Sequence, residues 1–182
     1  MKKYLFVIDM QRDFIDGALG TKEAVEMLPN AVEKIRAYAA NKDCRLIYTL
    51  DTHYSNYYQT QEGRKLPVEH CMIDTPGWNL PSEIYVDIIK RGEMKSMPYM
   101  FQKSTFGLVD WKDALIDAIQ KEDEIEIIGL CTDICVVSNA LILKSTYPEN
   151  RIVVDSSCCA GTTPENHKAA LLTMKNCQID II

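Results

Sequence analysis

The chain has 182 residues, a formal net charge of −6 and a sequence pI near 5.1. This acidic balance argues against nucleic acid and against an anionic membrane surface as binding partners. The length favours a single domain over residues 1–182, since a domain usually spans ~100–200 residues.

The first residues and the cysteines predict a cytoplasmic protein. The apolar run near the start ends at Asp9 after five residues, which fits a buried strand better than a signal peptide. No apolar run approaches the ~20 residues of a membrane span, so we expect no membrane partner. The seven cysteines, an odd number, fit free thiols in a reducing compartment.

Strand and helix patterns alternate along the chain. In chain order they predict strand Tyr4–Met10, helix Pro29–Ala40, strand Arg45–Asp51, helix Pro81–Ile89, strand Tyr99–Lys103, helix Trp111–Lys121, strand Glu124–Leu130, helix Cys135–Tyr147, strand Arg151–Ser157, a helix starting at Thr162-Thr163-Pro164-Glu165, and strand Gln178–Ile182. This alternation predicts an α/β fold with three layers, α/β/α, around a central, mostly parallel six-stranded sheet. The stretch from His53 to Leu80 has no regular pattern, and so long an irregular segment is usually functional.

Polar residues follow several of the predicted strands. In open α/β sheets, ligands bind beyond the carboxyl ends of the strands, at the point where the strand order reverses. For a Rossmann-like order 3-2-1-4-5-6, that point lies between strands one and four. Asp9 ends strand one and Cys135 follows strand four, so we expect them to face each other, with Lys103 from strand three reaching in.

The segment Gly129-Leu130-Cys131-Thr132-Asp133-Ile134-Cys135 follows a strongly apolar run and precedes an apolar helical pattern. It indicates a buried strand that turns sharply into a helix, with Cys135 on the first helical turn. Free N–H groups and the positive helix dipole at such a turn stabilise a thiolate and can hold an oxyanion. The position therefore favours a nucleophilic role for Cys135.

Several segments, in this order along the chain, carry a family resemblance. They are Ile8-Asp9-Met10-Gln11-Arg12-Asp13-Phe14, Asp51-Thr52-His53, His70-Cys71 with Thr75-Pro76-Gly77, Lys103, and the segment Gly129 to Cys135. On these motifs the chain resembles the isochorismatase-like cysteine hydrolases, and especially their nicotinamidase branch. The matching segments span residues 8–135, which is most of the chain.

The resemblance implies a catalytic mechanism. Asp9 would take the proton of Cys135 while the sulfur attacks an amide carbonyl, and Lys103 would favour the thiolate. The backbone N–H groups of Cys131 and Cys135 would hold the oxyanion. The family often has a cis peptide in this turn, here Leu130–Cys131. Asp9 would then protonate the departing ammonia and activate the water that hydrolyses the thioester.

The resemblance also implies a divalent metal ion, Zn²⁺, Fe²⁺ or Mn²⁺, that polarises the pyridine nitrogen of the substrate. Asp51, His53 and His70 would bind it. Several family members have a further histidine in the intervening loop, which this chain lacks. Glu62 is the best-placed replacement, with Gln59 and Glu69 as alternatives. The segment before His70 is one residue longer than the usual family pattern.

For the substrate, the resemblance implies a small amide whose ring packs against Phe14. Leu66 stands where a tryptophan is common in the family, and Leu130 is expected beside the same pocket. Tyr54, Trp78 and Phe106 are further possible walls, although loop-to-core packing is an equal explanation for the last two. The family commonly forms homo-oligomers, dimers or tetramers.

Four smaller features have structural interpretations. Cys158-Cys159 favours small apolar packing over a strained vicinal disulfide. We expect His167 at the surface of the last helix, Asp133 capping or orienting the helix start, and Asp13 holding the first loop.

Three functional hypotheses follow. The leading one is a cysteine amidohydrolase that converts nicotinamide to nicotinate and ammonia, a reaction of pyridine nucleotide salvage. The second keeps Asp9, Lys103 and Cys135 but hydrolyses another small amide or carbamoyl compound without a metal. The third is a non-catalytic ligand-binding or thiol-switch protein on the same fold, since a fold alone does not decide function.

Overall fold

The computed structural model describes residues 1–90, 92–115 and 119–182. Its sheet has six strands, and every neighbouring pair is parallel. The strands are β1 (Lys3–Ile8), β2 (Cys44–Asp51), β3 (Tyr99–Lys103), β4 (Glu124–Leu130), β5 (Arg151–Ala160) and β6 (Asp180–Ile181). The order β3-β2-β1-β4-β5-β6 confirms the predicted order.

Helices cover both faces of this sheet. They are α1 (Arg12–Ile15), α2 (Lys22–Ala39), α3 (Gln61–Lys65), α4 (Val86–Lys90), α5 (Trp111–Ala114), α6 (Val137–Thr146) and α7 (Pro164–Asn176), with a 3₁₀ turn at Tyr57–Gln59 and a π-helical turn at Thr132–Val136. Successive side chains of a strand point to opposite faces. Accordingly, Leu5 and Val7 of β1 pack with α2, whereas Tyr4, Phe6 and Ile8 pack with α5 and α6. The predicted α/β/α layers are confirmed.

β1 lies in the middle of the sheet because its side chains are apolar on both faces. All its residues after Lys3 are buried. It pairs with β2 on one side and β4 on the other, and Ile8 lies opposite Thr49 and Gly129. The residue after Ile8 therefore emerges between the carboxyl ends of two neighbouring strands.

The start of α2 differs from the prediction. The helix begins at Lys22 rather than at Pro29, which lies inside it. Thr21 caps the true start, where its Oγ1 accepts a hydrogen bond from the Ala24 N–H at 3.1 Å. The buried residues Ala24 and Met27 extend the apolar face upstream, and this packing outweighs the cost of an internal proline.

Other bounds differ by smaller amounts. β5 continues to Ala160 beyond the predicted end at Ser157, and β6 is limited to Asp180–Ile181. The helix predicted over Pro81–Ile89 is observed only as α4. The helix predicted over Trp111–Lys121 does begin at Trp111 but ends at Ala114, because Leu115 is already extended; residues 116–118 lie outside the described residues. Within the described ranges, each helix is too short or too polar to cross a lipid bilayer.

The irregular segment after β2 contains more structure than predicted. It holds the 3₁₀ turn and α3, and a β-bridge joins His53 to Met72. All seven cysteines are free thiols, and Cys158 and Cys159 are both buried, in accordance with the predicted packing role. Cys158 belongs to the core layer under α2, and Cys159 to the opposite layer.

A buried charge cluster joins α2 to the sheet. Glu126 on β4 and Asp155 on β5 are both buried, and the Lys34 ammonium from α2 contacts both carboxylates. The hydroxyl of Tyr38 donates a hydrogen bond to Glu126 Oε2. Burial would raise the pKa of Asp155, but the hydrogen bond and charge of Lys34 outweigh it and lower this pKa. The lysine therefore compensates two carboxylates that would otherwise repel each other.

We predict that Lys34→Met lowers the free energy of unfolding at neutral pH by about 2–3 kcal/mol, because two buried carboxylates lose their cation. The depressed pKa of Asp155 stabilises the wild type above its unfolded pKa of about 3.9, and this contribution is lost as the pH falls through the folded value. Without the cation, the pKa of Asp155 rises, so the difference in stability between the two proteins narrows on mild acidification.

Urea unfolding at several pH values measures both effects. Lys121→Met is the matched control, because the Lys121–Glu149 pair is exposed and its loss should cost under ~0.5 kcal/mol. Equal stability losses for the two variants would contradict the prediction.

Candidate active site

Three residues meet at the switch point of the sheet. Asp9 follows β1, Lys103 ends β3 and Cys135 lies in the π-helical turn after β4. Lys103 Nζ lies 2.6 Å from Asp9 Oδ2 and 3.7 Å from Cys135 Sγ. All three residues are at most 5% exposed. The structure thus brings together the acid, the lysine and the thiol, as the topology predicted.

The Asp9 carboxylate is fixed by two elements of the sheet. The Asp9 backbone has a φ of 46°, in the left-handed region, where aspartate occurs more often than most residues. Thr49 of β2 donates its hydroxyl hydrogen to Asp9 Oδ1 at 2.7 Å, and Thr49 Oγ1 accepts from the Asp9 N–H at 3.2 Å. Because Lys103 contacts the other oxygen, both carboxylate oxygens have a partner.

The turn that carries Cys135 depends on a glycine. Gly129 has φ of 128°, and a Cβ atom there would lie 2.0 Å from the Ile8 carbonyl oxygen. The Leu130–Cys131 peptide bond that follows is cis, as the resemblance implied. The carbonyl of Cys131 then accepts hydrogen bonds from the N–H groups of Ile134 and Val136 at 3.0 and 3.1 Å. Cys131 and Cys135 both line one cavity, while their roles as oxyanion donors stay a prediction.

The electrostatics favour a protonated thiol at rest. Burial raises the pKa of Cys135 well above its usual range, and the charge of Asp9 raises it further, while Lys103 only partly offsets this. Burial also raises the pKa of Asp9 against the opposing effect of Lys103. A carboxylate with a raised pKa is a better proton acceptor. Burial and the charge of Asp9 therefore oppose the expected resting thiolate, and the arrangement suits proton transfer during attack.

A second polar cluster adjoins the first. Asp51 ends β2, His53 follows it, Glu62 lies in α3 and His70 lies in the following loop. His53 Nε2 is 3.1 Å from Asp51 Oδ2 and 3.6 Å from Glu62 Oε1, while His70 Nε2 is 3.5 and 3.6 Å from the same two oxygens. One donor atom from each residue lies within 4.8 Å of all the others. Lys103 links the two clusters, since its Nζ is 3.7 Å from Asp51 Oδ1.

The donor set fits a divalent metal ion. His70 Nδ1 lies 2.9 Å from the Val68 carbonyl oxygen, so an N–H there can donate and leave Nε2 as a ligand. His53 Nε2 is buried and, among the described residues, makes no hydrogen bond despite its nearby carboxylates. Burial would raise the pKa of Asp51, but His53, His70 and the charge of Lys103 outweigh it and keep this carboxylate ionised. Two imidazoles and two carboxylates form a set typical of Zn²⁺, Fe²⁺ or Mn²⁺.

Gln11 and Asp13 hold the metal-site loops, and the sequence reasoning gave Gln11 no role. Gln11 Oε1 accepts from the Asp51 N–H at 2.7 Å, and its Nε2 donates to the carbonyls of Asp51 and Trp78, both at 2.8 Å. Asp13 Oδ2 accepts from the Cys71 N–H at 2.7 Å, next to His70. Asp13 thus holds the first loop, as expected, and also anchors the loop that carries a candidate ligand.

Two side chains beside the nucleophile turn make long-range contacts. Asp133 does not cap its own turn but accepts hydrogen bonds from the N–H and hydroxyl of Thr162, at 2.8 and 2.6 Å, which fits the alternative that it orients the helix start. His167 of α7 is half-buried rather than at the surface, and its Nδ1 lies 2.8 Å from Thr132 Oγ1. The cause is the packing of α7 directly on the π-helical turn, which the sequence pattern did not reveal. These contacts join the turn to α7 and to the residue Thr162 just before it.

Both clusters open into one cavity of about 660 Å³. Phe14 and Leu66 line it, and the Phe14 ring centroid is 5.5 Å from that of His70. Leu130 instead packs in the core. Its predicted contact with the substrate stays a prediction. Of the possible walls, Tyr54 and Phe106 line the cavity, whereas Trp78 packs against the core and donates its indole N–H to Thr52 Oγ1 at 2.9 Å.

An isochorismatase domain profile matches residues 3–182. The chain belongs to the isochorismatase family. This membership confirms the resemblance deduced from the motifs between Asp9 and Cys135. One relative of this chain is the nicotinamidase/pyrazinamidase of Mycobacterium tuberculosis. The two sequences are 24% identical over 184 residues, which cover 98% of this chain and 97% of that protein.

Solved structures of the same fold support the assignment. The nicotinamidase/pyrazinamidase PncA from Bacillus subtilis superposes with a TM-score of 0.81 at 25% identity, covering 100% of this chain and 99% of that one. The pyrazinamidase of Pyrococcus horikoshii, solved in complex with zinc, superposes with a TM-score of 0.71 at 24% identity, with coverage of 100% and 99%.

We predict that Asp9→Asn makes Cys135 easier to alkylate. The substitution removes a negative charge that raises the thiol pKa, while Lys103 stays in place, so the thiol ionises at lower pH. Iodoacetamide labelling of Cys135, followed by mass spectrometry from neutral to alkaline pH, should give a profile shifted to lower pH. The exposed Cys177 provides an internal reference. Slower labelling of Cys135 in the variant would contradict this electrostatic account.

Proposed function

We propose that this isochorismatase-family protein is a cysteine amidohydrolase that converts nicotinamide to nicotinate and ammonia through a thioester. The observation that carries the proposal is the junction of two clusters, because Lys103 Nζ lies 3.7 Å from both Cys135 Sγ and Asp51 Oδ1. Cys135 Sγ and Asp51 Oδ1 are therefore no more than twice 3.7 Å apart, which places the sulfur near the candidate metal ligands. A small ring with a carboxamide at one position and a nitrogen two atoms away can contact both.

The names of the similar proteins favour the same reaction class. Nicotinamidase and pyrazinamidase relatives from Mycobacterium tuberculosis and Bacillus subtilis indicate an amide hydrolase.

In the proposed reaction, Asp9 accepts the proton of Cys135 as the sulfur attacks the carboxamide carbon. Lys103 stabilises the negative charge shared by carboxylate and sulfur. The backbone N–H groups of Cys131 and Cys135 face the resulting oxyanion. Collapse breaks the C–N bond, Asp9 returns the proton to the leaving nitrogen, and ammonia departs from a thioester.

Hydrolysis of the thioester repeats the proton transfers. Asp9 takes a proton from water while the water oxygen attacks the thioester carbon. The C–S bond breaks and Asp9 returns the proton to Cys135 Sγ. The product leaves as nicotinic acid, which loses its remaining acidic proton to solvent to give nicotinate. The same carboxylate is therefore base and acid in turn, a role suited to its raised pKa.

Asp51, His53, Glu62 and His70 would hold the metal ion that the family resemblance implies. When bound, a divalent ion would supply Lewis-acid polarisation of the pyridine nitrogen and orient the ring. The protein's own part is to fix these ligands through Gln11, Asp13 and the Val68 carbonyl.

We predict ammonia release from nicotinamide by the metal-loaded enzyme and a loss of at least ~10³-fold in kcat for Cys135→Ala, because the nucleophile is removed. An ammonia-coupled assay measures both. Cys177→Ala is the matched control, since this exposed thiol is remote from the cavity and its variant should keep full activity. Absence of turnover despite bound metal would exclude nicotinamide as the substrate. An inert Cys135 with no amide hydrolysed would favour the non-catalytic hypothesis.

We also predict about one equivalent of divalent metal in the purified protein, and metal affinity lowered at least ~100-fold in His53→Ala or His70→Ala, because each change removes a ligand. Elemental analysis after dialysis against a chelator measures retention. His167→Gln is the control, because His167 lies outside the cluster. Full nicotinamide turnover by metal-free protein would instead support the metal-independent alternative.

A further inference from the structure

The cavity that holds both clusters has two ends of different character. At the inner end, Cys135 and His70 are 4% and 2% exposed. At the outer end, Tyr54, Leu66 and Phe106 are 50%, 37% and 48% exposed, although all three side chains are large and apolar. Clustered apolar surface that remains open to water is typical of a ligand-binding groove.

These three side chains stand on backbone that is held in place. The Leu66 carbonyl accepts a hydrogen bond from the buried Tyr57 hydroxyl at 2.8 Å. The Phe106 carbonyl accepts from Asn139 Nδ2 at 3.1 Å, and the Tyr54 carbonyl accepts from the Tyr57 N–H at 2.9 Å. The outer surface is therefore preformed, which reduces the ordering cost of binding a ligand there.

The cavity volume exceeds what a single ring requires. Cavities of about 300–1,000 Å³ hold drug-sized ligands, and this one measures about 660 Å³. A single-ring amide that contacts both Cys135 and the metal cluster would fill only part of this volume, and Tyr54, Leu66 and Phe106 line the same cavity.

We propose that the outer end is a binding subsite for an apolar substituent of about the size of a phenyl group, carried on the ring of the amide substrate. This proposal rests on the proposed amide hydrolysis and extends its substrate class. In nicotinamide, ring carbon 5 is meta to both the ring nitrogen and the carboxamide. A group at that carbon obstructs neither Cys135 nor the metal cluster, so 5-phenylnicotinamide is the matched probe.

The expected result is a KM for 5-phenylnicotinamide about tenfold below that for nicotinamide, with similar kcat, because the added contact is remote from the reacting atoms. Calorimetry with Cys135→Ala should show the same tenfold difference in Kd without turnover. Lys65 also lines the cavity, so 5-carboxynicotinamide serves as the charged comparison. Preference for the carboxylate over the phenyl group would overturn the apolar assignment.

Phe106→Ala should lower the ratio of kcat/KM values, 5-phenylnicotinamide over nicotinamide, at least fivefold. Val109→Ala is the control, because Val109 is 69% exposed in the same loop and, in the described part of the chain, is not among the residues that line the cavity. An unchanged ratio in Phe106→Ala would overturn the subsite.

The outcomes separate this inference from the proposed function. Hydrolysis of nicotinamide with no tighter binding of the phenyl derivative overturns the subsite and leaves the hydrolase intact. Hydrolysis of the phenyl derivative alone supports the subsite and replaces nicotinamide as the substrate. If neither compound binds or reacts with the metal-loaded protein, both proposals are rejected.

Discussion

One buried ammonium group joins all parts of the site. Lys103 Nζ contacts Asp9 at 2.6 Å and lies 3.7 Å from both Asp51 and Cys135. The carboxylates of Asp9 and Asp51 meet there almost without solvent, and their mutual repulsion would be severe without a cation. The charges of Asp9 and Asp51 in turn hold the pKa of Lys103 above its usual range, against the effect of burial. Nucleophile, base and metal ligands are thus parts of one electrostatic unit.

The parallel sheet makes this convergence possible. Because parallel strands present all their carboxyl ends at one edge, β1, β2, β3 and β4 deliver side chains to the same small volume. The central position of β1 places Ile8 between Thr49 of β2 and Gly129 of β4, so the next residue, Asp9, lies where these strands end. Absence of a side chain at Gly129 lets the nucleophile turn approach β1 closely.

The sequence was informative wherever a pattern is local. The local sequence patterns predicted β3 and β4 with their observed bounds, and the strand order then placed Asp9, Lys103 and Cys135 together. Long-range packing could not be predicted from these sequence patterns. The contact of His167 with Thr132 depends on where α7 rests, and the start of α2 depends on which face is buried. The balance of charge and burial at Cys135 likewise needs coordinates, because helix dipole and desolvation act in opposite directions.

The hydrogen bonds of Gln11 restrict which residues can replace it. Its amide pairs with both the N–H and the carbonyl of Asp51, so the side chain behaves as a surrogate peptide unit that prolongs the pairing of β1 and β2 past the end of the strand. Only a group that donates and accepts at once can do this. A glutamate of nearly identical shape would lose both donated bonds and set a second anion against Asp51. A side chain of the same size is therefore not enough at position 11. The replacement must also be able to donate and accept the same hydrogen bonds.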